Sequence, residues 1–271
     1  MIKDEIIQRA TEYLRTNPRN FVPADVAISP ELAGVRIYDD PIFAFGSADD
    51  PLWETLKDPK VVSPEAMSPQ EWMAKAKTVI TYFLPFTQEV KQSNLSTDGP
   101  SDLWRHGRVE GEDMNVAMRW FVTGLLSNFG AVSPMLDKRW KQLGPYCSNW
   151  SERHAAYICG LGTFCCSRGL ITRKGVASRF GSIITGAEIE PTPREYKDPA
   201  EWCSKCGACA ANCPAGAIDM TKDPLFAKDQ VKCAAYLGET TVECGPADHT
   251  KKRYGCGKCQ VGVPCQDGLP F

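Results

Sequence analysis

Apolar residues along the first 200 positions follow two periods, one typical of helices and one of buried strands. Near the N-terminus they recur at helical spacing, which predicts an amphipathic helix carrying Ile2, Ile6, Ile7, Ala10, Tyr13 and Leu14. Two short β-branched or aromatic runs bounded by chain breakers, 34–38 and 79–86, predict buried strands. The second run reads Val-Ile-Thr-Tyr-Phe-Leu-Pro-Phe and is apolar almost throughout.

Capping signals and further periodic stretches extend this pattern. Residues 68–71 (Ser-Pro-Gln-Glu) combine an N-cap, a proline at the first helical position and a glutamate at the third. On such signals we predict helices over 68–76, 111–129 and 151–159, and strands over 169–172 and 180–185. The alternation predicts an α/β (α+β) domain over residues 1–197.

Cysteine spacing carries the strongest chemical signal. The chain has 13 cysteines, and nine of them lie at or after position 203. Residues 203–214 read C-x2-C-x2-C-x3-C-P, the spacing of ferredoxin-type 4Fe-4S clusters, in which the fourth cysteine ligates a second cluster. The segment 198–271 is therefore predicted to be a small ferredoxin-like domain with two 4Fe-4S clusters.

The crossover of the fourth cysteine defines two predicted ligand sets. The first is Cys203, Cys206, Cys209 and Cys265, and the second is Cys213, Cys233, Cys256 and Cys259. Cys244 competes with Cys233, which we favour because it stands in a predicted short helix at 231–237. Zinc is an alternative, although three cysteines at two-residue gaps crowd more thiolates onto one loop than a tetrahedral site uses. A disulfide scaffold would need a secreted chain, and the first five residues show no apolar signal core.

Length and charge limit the functional classes. At 271 residues the chain can hold one large and one small domain, and no run of about eighteen apolar residues predicts a membrane span. A net charge of -2 argues against a general nucleic-acid surface, so a nucleic-acid partner is not expected. One segment, 137–179, is locally basic. Either a solvated helix face or an anion site for a phosphate or carboxylate would explain this bias.

Three pieces of the middle of the chain form a recognisable series. They are 152–162 (ERHAAYICGLG), 170–174 (LITRK), and Arg179 followed by the Ile-Ile-Thr of 183–185. In order and spacing they resemble the corrinoid-binding core of the epoxyqueuosine reductase and reductive dehalogenase superfamily, where a helix ending A-G-L-G is followed by L-I-T-P-K, a strand closing on I-T, and a double-cluster ferredoxin module. The resemblance covers roughly residues 77 to 265.

The resemblance implies a nitroreductase-like core that holds a base-off cobalamin, reduced through the two clusters. The protein would place this cofactor, tune its potential and exclude competing reactions. The residues that the resemblance marks as cofactor-binding are His154, Gly160, Leu161, Gly162 and Arg179. Gly160 also fits a plain helix C-cap, and the two interpretations are compatible.

Two departures from the family pattern bear on mechanism. Epoxyqueuosine reductases carry an aspartate, their proposed proton donor, at the position that Tyr146 occupies here. Reductive dehalogenases use a tyrosine, so Tyr146 is the candidate catalytic acid, and it is protonated at neutral pH. The family's G-K-N stretch is replaced by Cys165-Cys166-Ser167, which leaves open a thiol-lined pocket that binds no corrinoid.

Three functions remain in competition. The first is a corrinoid and iron–sulfur reductase of a small molecule, fed by a low-potential donor such as ferredoxin or flavodoxin. The second is an electron-transfer protein without corrinoid that relays electrons to a partner, and the third is an epoxyqueuosine-type tRNA base reductase. The N-terminus carries no twin-arginine leader, which predicts a cytoplasmic protein.

Overall fold

The computed structural model describes residues 2–144, 146–246 and 250–271. The helices are α1 (Ile2–Thr16), α2 (Leu52–Thr55), α3 (Pro69–Trp72), α4 (Gln88–Leu95), α5 (Asp102–Leu125), α6 (Glu152–Ile158), α7 (Ala208–Ala211) and α8 (Gln230–Glu239). The strands are β1 (Ile42–Ser47), β2 (Thr78–Pro85), β3 (Ala131–Val132), β4 (Gly162–Phe164), β5 (Leu170–Thr172), β6 (Ser178–Thr185), β7 (Val242–Cys244) and β8 (Lys251–Arg253). None of the helices formed by the described residues is both long and apolar enough to cross a bilayer.

The central sheet is antiparallel and covered on both faces. Its order is β1-β2-β6-β3, and each neighbouring pair is antiparallel. Side chains along β2 alternate between two cores, as the two-residue period of a strand requires. Ile80 and Leu84 pack in the core that contains residues of α1 and α5, whereas Val79 and Phe83 pack in the core that contains residues of α6. Because both faces are buried, β2 reads as a continuous apolar run.

Several sequence predictions are confirmed. The 79–86 run forms β2, the 151–159 helix is α6 with Ser151 as its N-cap, and the residues around Cys233 form α8. The capping box is also present, because the backbone N–H of Ser68 donates to Glu71 Oε2 at 2.7 Å. The mixed helix and strand class is confirmed as well.

Three predictions of local structure are wrong. The helix expected over 68–76 is only the four-residue α3, which ends at Trp72. The 34–38 run is not a strand and makes only isolated bridges, Arg36 to Phe21 and Tyr38 to Phe86. The helix expected over 111–129 begins instead at Asp102, where the Ser101 hydroxyl accepts from the backbone N–H of Trp104 at 3.1 Å. Its first turns were missed because they carry polar and charged residues that look like a loop. His106 and Glu110 in these turns are buried, so their polarity does not report exposure.

The cysteine-rich segment packs closely against the preceding residues. Asn94 at the end of α4 donates to the backbone carbonyl of Cys256 at 3.0 Å, and a Cβ added to Gly175 would lie 1.9 Å from the carbonyl oxygen of Gln266. These contacts join the two parts of the chain, and a division at 197/198 stays a prediction.

A buried charge network ties β8 to α5. Glu110 accepts from His106 Nδ1 at 2.8 Å and from Arg253 at 3.0 Å, and these side chains are at most 2% exposed. The backbone N–H of Ile28 donates to His106 Nε2 at 3.0 Å, which leaves Nδ1 as the protonated nitrogen of a neutral ring. Arg253 also donates to the carbonyls of Val26 and Cys244. Each of these three side chains is therefore held by at least two contacts.

Substituting Glu110 by Gln should destabilise the protein by about 3–5 kcal/mol, because the buried Arg253 would lose its carboxylate. Burial alone would raise the pKa of Glu110, but the His106 hydrogen bond and the Arg253 charge outweigh it and lower the pKa. The carboxylate's contribution is therefore present at neutral pH and lost as the pH falls through the folded-state pKa. Thermal unfolding of wild type and Glu110→Gln across acidic pH measures both effects.

The matched control is Glu5→Gln, which removes an exposed carboxylate that pairs with Arg9 on α1. Exposed helix pairs contribute little, so this variant should unfold like the wild type at each pH. Equal unfolding temperatures for Glu110→Gln and wild type would contradict a structural role for the network.

Candidate functional site

The cysteines of the first predicted set surround one small cavity. Its lining includes Cys203, Cys206, Cys209 and Cys265, together with Cys165 and Cys166. Gly207, at φ +79°, turns the chain between the second and third of these cysteines, a conformation that glycine adopts without strain. The four predicted ligands therefore face a common space, as a cubane cluster requires.

The second predicted set opens into a larger cavity of about 550 Å³. Cys213, Cys233, Cys256 and Cys259 all line it. Gly257 shapes the ligand loop, because a Cβ at this position, with φ +67°, would lie 1.9 Å from Trp104 Cζ2. The backbone N–H of Ala217 also donates to Cys213 Sγ at 3.4 Å, the kind of contact that stabilises a ligating thiolate.

Cys244, the rival of Cys233, lines neither cavity. It lies at the end of β7, and its carbonyl accepts from Arg253. Cys233 sits instead on α8 and faces the large cavity with the other three. The choice of Cys233 stays a prediction, and the geometry favours it.

The thiols of each set line a cavity and do not converge on the position of a single metal ion. Among the described residues, no three cysteine, histidine or acidic side chains converge closely enough to hold one metal ion. Burial raises the pKa of Cys256 to about 11 and that of Cys209 to about 12. These thiols are therefore protonated at neutral pH, so metal binding here would release protons. Both donor sets fit a 4Fe-4S cluster in number and in chemical type.

The large cavity extends from the second thiol set into a basic region. Besides those thiols its lining contains five basic side chains, Arg108, Arg119, Arg153, Arg179 and Lys228, and two acidic ones, Glu112 and Glu152. The side chains from α5 recur at positions 108, 112, 115 and 119, so a single stripe of this helix faces the cavity.

The charges in this region are only partly compensated. Glu112 pairs with Arg119 at 2.8 Å and with Arg179 at 3.5 Å. Arg108 and Arg153 have no carboxylate partner within the described part of the chain, and Arg108 lies over the Tyr254 ring, 5.8 Å from its centroid. Burial and the like charge of Arg179 lower the pKa of Arg108 to about 9. An anion placed here would offset this excess positive charge.

Glu152 is a site residue that sequence reasoning did not single out. It opens α6 and lines the cavity with its side chain 14% exposed, yet neither carboxylate oxygen has a hydrogen-bond partner in the described structure. The nearest cationic atom is Arg119 Nε at 3.5 Å. Burial, opposed by Arg119, raises the pKa of Glu152 to about 7. The only sequence signal was its place in the 152–162 series.

One of the five residues marked as cofactor-binding lines the large cavity, namely Arg179. The side chain of His154 is hydrogen-bonded to Ser151 at 2.8 Å, and burial lowers its pKa to about 3. Gly162 pairs with Thr172 in a hairpin, and a Cβ there would lie 2.0 Å from the carbonyl oxygen of Ile171. Backbone packing therefore accounts for this glycine.

The remaining two cofactor-binding candidates also lie outside the large cavity. Gly160, at φ +94°, ends α6 and packs near the carbonyl of Thr192, and Leu161 is 5% exposed within the core. Of the five residues that the resemblance selects, only Arg179 therefore lines the large cavity. Their role stays a prediction that the cavity geometry does not support.

Tyr146 lies on the loop before α6, with 47% of its surface exposed. It is not part of the cavity lining. Of the basic set Arg153, Arg168, Lys174 and Arg179, only the first and last reach the cavity. Lys174 instead donates to the carbonyl of Asp40 at 3.0 Å.

Glu152 should titrate near neutral pH. Its carboxyl is expected to be protonated below about pH 7 and ionised above it, because burial raises its pKa by more than the charge of Arg119 lowers it. Difference infrared spectra across this range should show a protonated carboxyl band that Glu152→Gln abolishes. The control Glu65→Gln, which removes an exposed carboxylate near Lys141, should leave the band unchanged. A band that persists in Glu152→Gln would assign the titration to another group.

Comparison with known proteins reveals similarity in structure but not in sequence. No protein-family profile matches the chain, and no curated protein does. The structure is similar to epoxyqueuosine reductase from Bacillus subtilis with its catalytic loop swung out of the active site, at 18% identity and TM-score 0.53, covering 99% of this chain and 66% of that one. An epoxyqueuosine reductase bound to a tRNA stem loop matches at 18% identity and TM-score 0.51, with the same coverage.

A catabolic reductive dehalogenase in complex with 3-bromo-4-hydroxybenzoic acid is also similar, at 14% identity and TM-score 0.54, covering 98% of this chain and 36% of that one. The chain thus spans about two thirds of the reductases and about a third of the dehalogenase. The resemblance inferred from 152–185 is confirmed at the level of the fold: this chain has the fold shared by epoxyqueuosine reductases and reductive dehalogenases.

Proposed function

We propose that the protein is an iron–sulfur oxidoreductase that reduces a small molecule in the large cavity. Cys203, Cys206, Cys209 and Cys265 would hold one 4Fe-4S cluster, and Cys213, Cys233, Cys256 and Cys259 a second. The observation that carries the proposal is that the two thiol sets line separate cavities, the second continuous with the arginine-lined space. Such clusters supply one-electron transfer at low potential.

The positions of the two cavities give electrons a direction. Cys206 is the exposed thiol of the first set, whereas the second set opens into the basic cavity. A ferredoxin or flavodoxin would therefore deliver electrons at the first cluster, and the substrate would receive them beside the second. A protein that only relays electrons has no need of a cavity lined with arginines, which favours the reductase over the carrier.

The charge of the cavity supports an anionic substrate. Arg108 and Arg153 lack carboxylate partners in the described residues, and a carboxylate or phosphate group would supply one. A volume of about 550 Å³ falls in the usual range for small-molecule sites. The dehalogenase neighbour binds 3-bromo-4-hydroxybenzoic acid, a molecule of this chemical class.

A tRNA base is the second candidate substrate. One neighbour holds a tRNA stem loop, so the fold itself accommodates nucleic acid, which weakens the expectation that nucleic acid is not a partner. Two features of this chain favour the small molecule: its net charge of -2, and a tyrosine at the family's aspartate position. We do not include a corrinoid in the proposal, because four of its five expected contacts lie outside the large cavity. The experiment below tests whether one binds.

Metal analysis of protein purified without oxygen tests the proposal. Two 4Fe-4S clusters should give about eight iron and eight sulfide per chain and a brown visible spectrum that dithionite bleaches. A colourless or zinc-loaded sample would refute it. Titrations with cobalamin and with a tRNA anticodon stem loop then separate the alternatives. A spectral change or saturable binding with cobalamin would assign a corrinoid cofactor, and saturable binding of the stem loop would assign a tRNA substrate.

Debromination of 3-bromo-4-hydroxybenzoic acid driven by reduced methyl viologen tests the cavity. In this reaction the C–Br bond breaks, two electrons come from viologen, bromide leaves and a proton forms the new C–H bond. Arg108→Gln should raise KM about tenfold or more by removing a charged contact. Tyr146→Phe should abolish turnover while iron content stays unchanged, because we propose that the loop carrying Tyr146 moves toward the cavity. The catalytic loop of the Bacillus subtilis reductase has been seen swung out of its active site.

The control for both variants is Lys141→Gln, which changes an exposed residue on the same loop region as Tyr146. It should leave KM and turnover at wild-type values. Unchanged turnover in Tyr146→Phe would remove Tyr146 from the mechanism, and an unchanged KM in Arg108→Gln would place the substrate elsewhere.

A further inference from the structure

Cys166 occupies a position between the two thiol sets. Its side chain is 1% exposed and lines the first cavity. It forms a small buried cluster with Ile218 and Ala227, and cysteines of both sets pack against that cluster, namely Cys203, Cys209, Cys213 and Cys259. Neither predicted ligand set includes it, and the proposed function leaves this thiol without a role.

The Sγ atom of Cys166 lies 3.8 Å from Sγ of Cys203, within hydrogen-bonding distance for two sulfur atoms. A cysteine that ligates iron is a thiolate and can only accept. With Cys203 bound to iron, the single proton of this pair would belong to Cys166, which would then be the donor. A hydrogen bond to a ligand sulfur withdraws electron density from the cluster and favours its more negative, reduced state.

We propose that Cys166 donates a hydrogen bond to Cys203 and thereby raises the midpoint potential of the first cluster. The inference rests on the proposed function, because it requires Cys203 to be a cluster ligand. Since the first cluster is the one near the surface, a higher potential there makes it the better acceptor from an external donor. Cys166 acts through Cys203 and is a positioning residue for the cluster rather than a ligand.

The neighbouring cysteine supplies a matched control. Cys165 is 3% exposed and lines the same cavity. Its Sγ lies 3.2 Å from Ser167 Oγ and 3.5 Å from the carbonyl oxygen of Gly169, so its proton stays within its own turn. Removing the Cys165 thiol takes away the same volume beside the cluster but no hydrogen bond to a ligand.

The experiment is a redox titration of the full-length, cluster-loaded protein, followed by electron paramagnetic resonance. In Cys166→Ala, one of the two midpoint potentials should fall while the other, and the iron content, stay at wild-type values. Cys166→Ser keeps a donor on a shorter side chain and should recover part of the shift. Cys165→Ala should leave both potentials unchanged.

The outcomes separate the inference from the function on which it rests. Wild-type protein without clusters would refute the proposed function itself. Two intact clusters with unchanged potentials in Cys166→Ala, or an equal shift in Cys165→Ala, would overturn the inference alone. Should Cys166→Ala lose iron, the apolar and similarly sized Cys166→Val decides: retained iron with a lowered potential supports the donor, and lost iron would make Cys166 a ligand and overturn the proposal.

Discussion

The buried carboxylate of Glu110 fixes the geometry on which the site depends. It holds Arg253 at 3.0 Å, and Arg253 in turn holds the carbonyls of Val26 and Cys244. This network anchors β8 against α5, and the chain that leaves β8 reaches Cys256 and the Gly257–Trp104 contact a few residues later. The second ligand loop and the arginine stripe of α5 are therefore positioned by the same helix. Removing one partner of a buried ion pair is costly. Loss of the Glu110 carboxylate is therefore expected to disturb both the second ligand loop and the cavity-facing side of α5.

Helix α5 serves three environments at once, which explains why its start was mispredicted. Met114, Met118 and Val122 pack in the core, whereas His106 and Glu110 form the buried network. The stripe of 108, 112, 115 and 119 faces the cavity. A helix with one apolar face is recognisable from sequence, but a helix whose polar residues are also buried looks like a loop. The prediction therefore began at residue 111, where apolar spacing dominates, and missed the turns that carry the network.

The grouping of the cysteines could be predicted in part because short-range spacing sets it. The C-x2-C-x2-C-x3-C-P run brings three thiols to one loop whatever surrounds it, and the two predicted sets line separate cavities. Their role as cluster ligands stays a prediction. The basic cavity could not be predicted in this way, since its arginines come from α5, α6 and β6. The basic bias of 137–179 was a poor guide, because Arg139, Lys141 and Arg173 pair with acids outside the cavity. The raised pKa of Glu152 could not be predicted from the sequence either, because it results from burial, and burial is a property of the fold.

The positions of the departures from the family pattern in the structure help to explain them. Cys165-Cys166-Ser167 replaces a stretch expected to contact a corrinoid, and both thiols line the cavity of the first thiol set. Close packing against the backbone of Thr192 and Ile171 accounts for the glycines of the 160–162 segment. Neither observation supports the corrinoid contact that the resemblance implies for this part of the chain. The basic cavity remains next to the second thiol set, where the proposed reduction would take place. A fold can keep its electron path while its substrate chamber changes, because the path depends on spaced cysteines and the chamber on side chains from three separate elements.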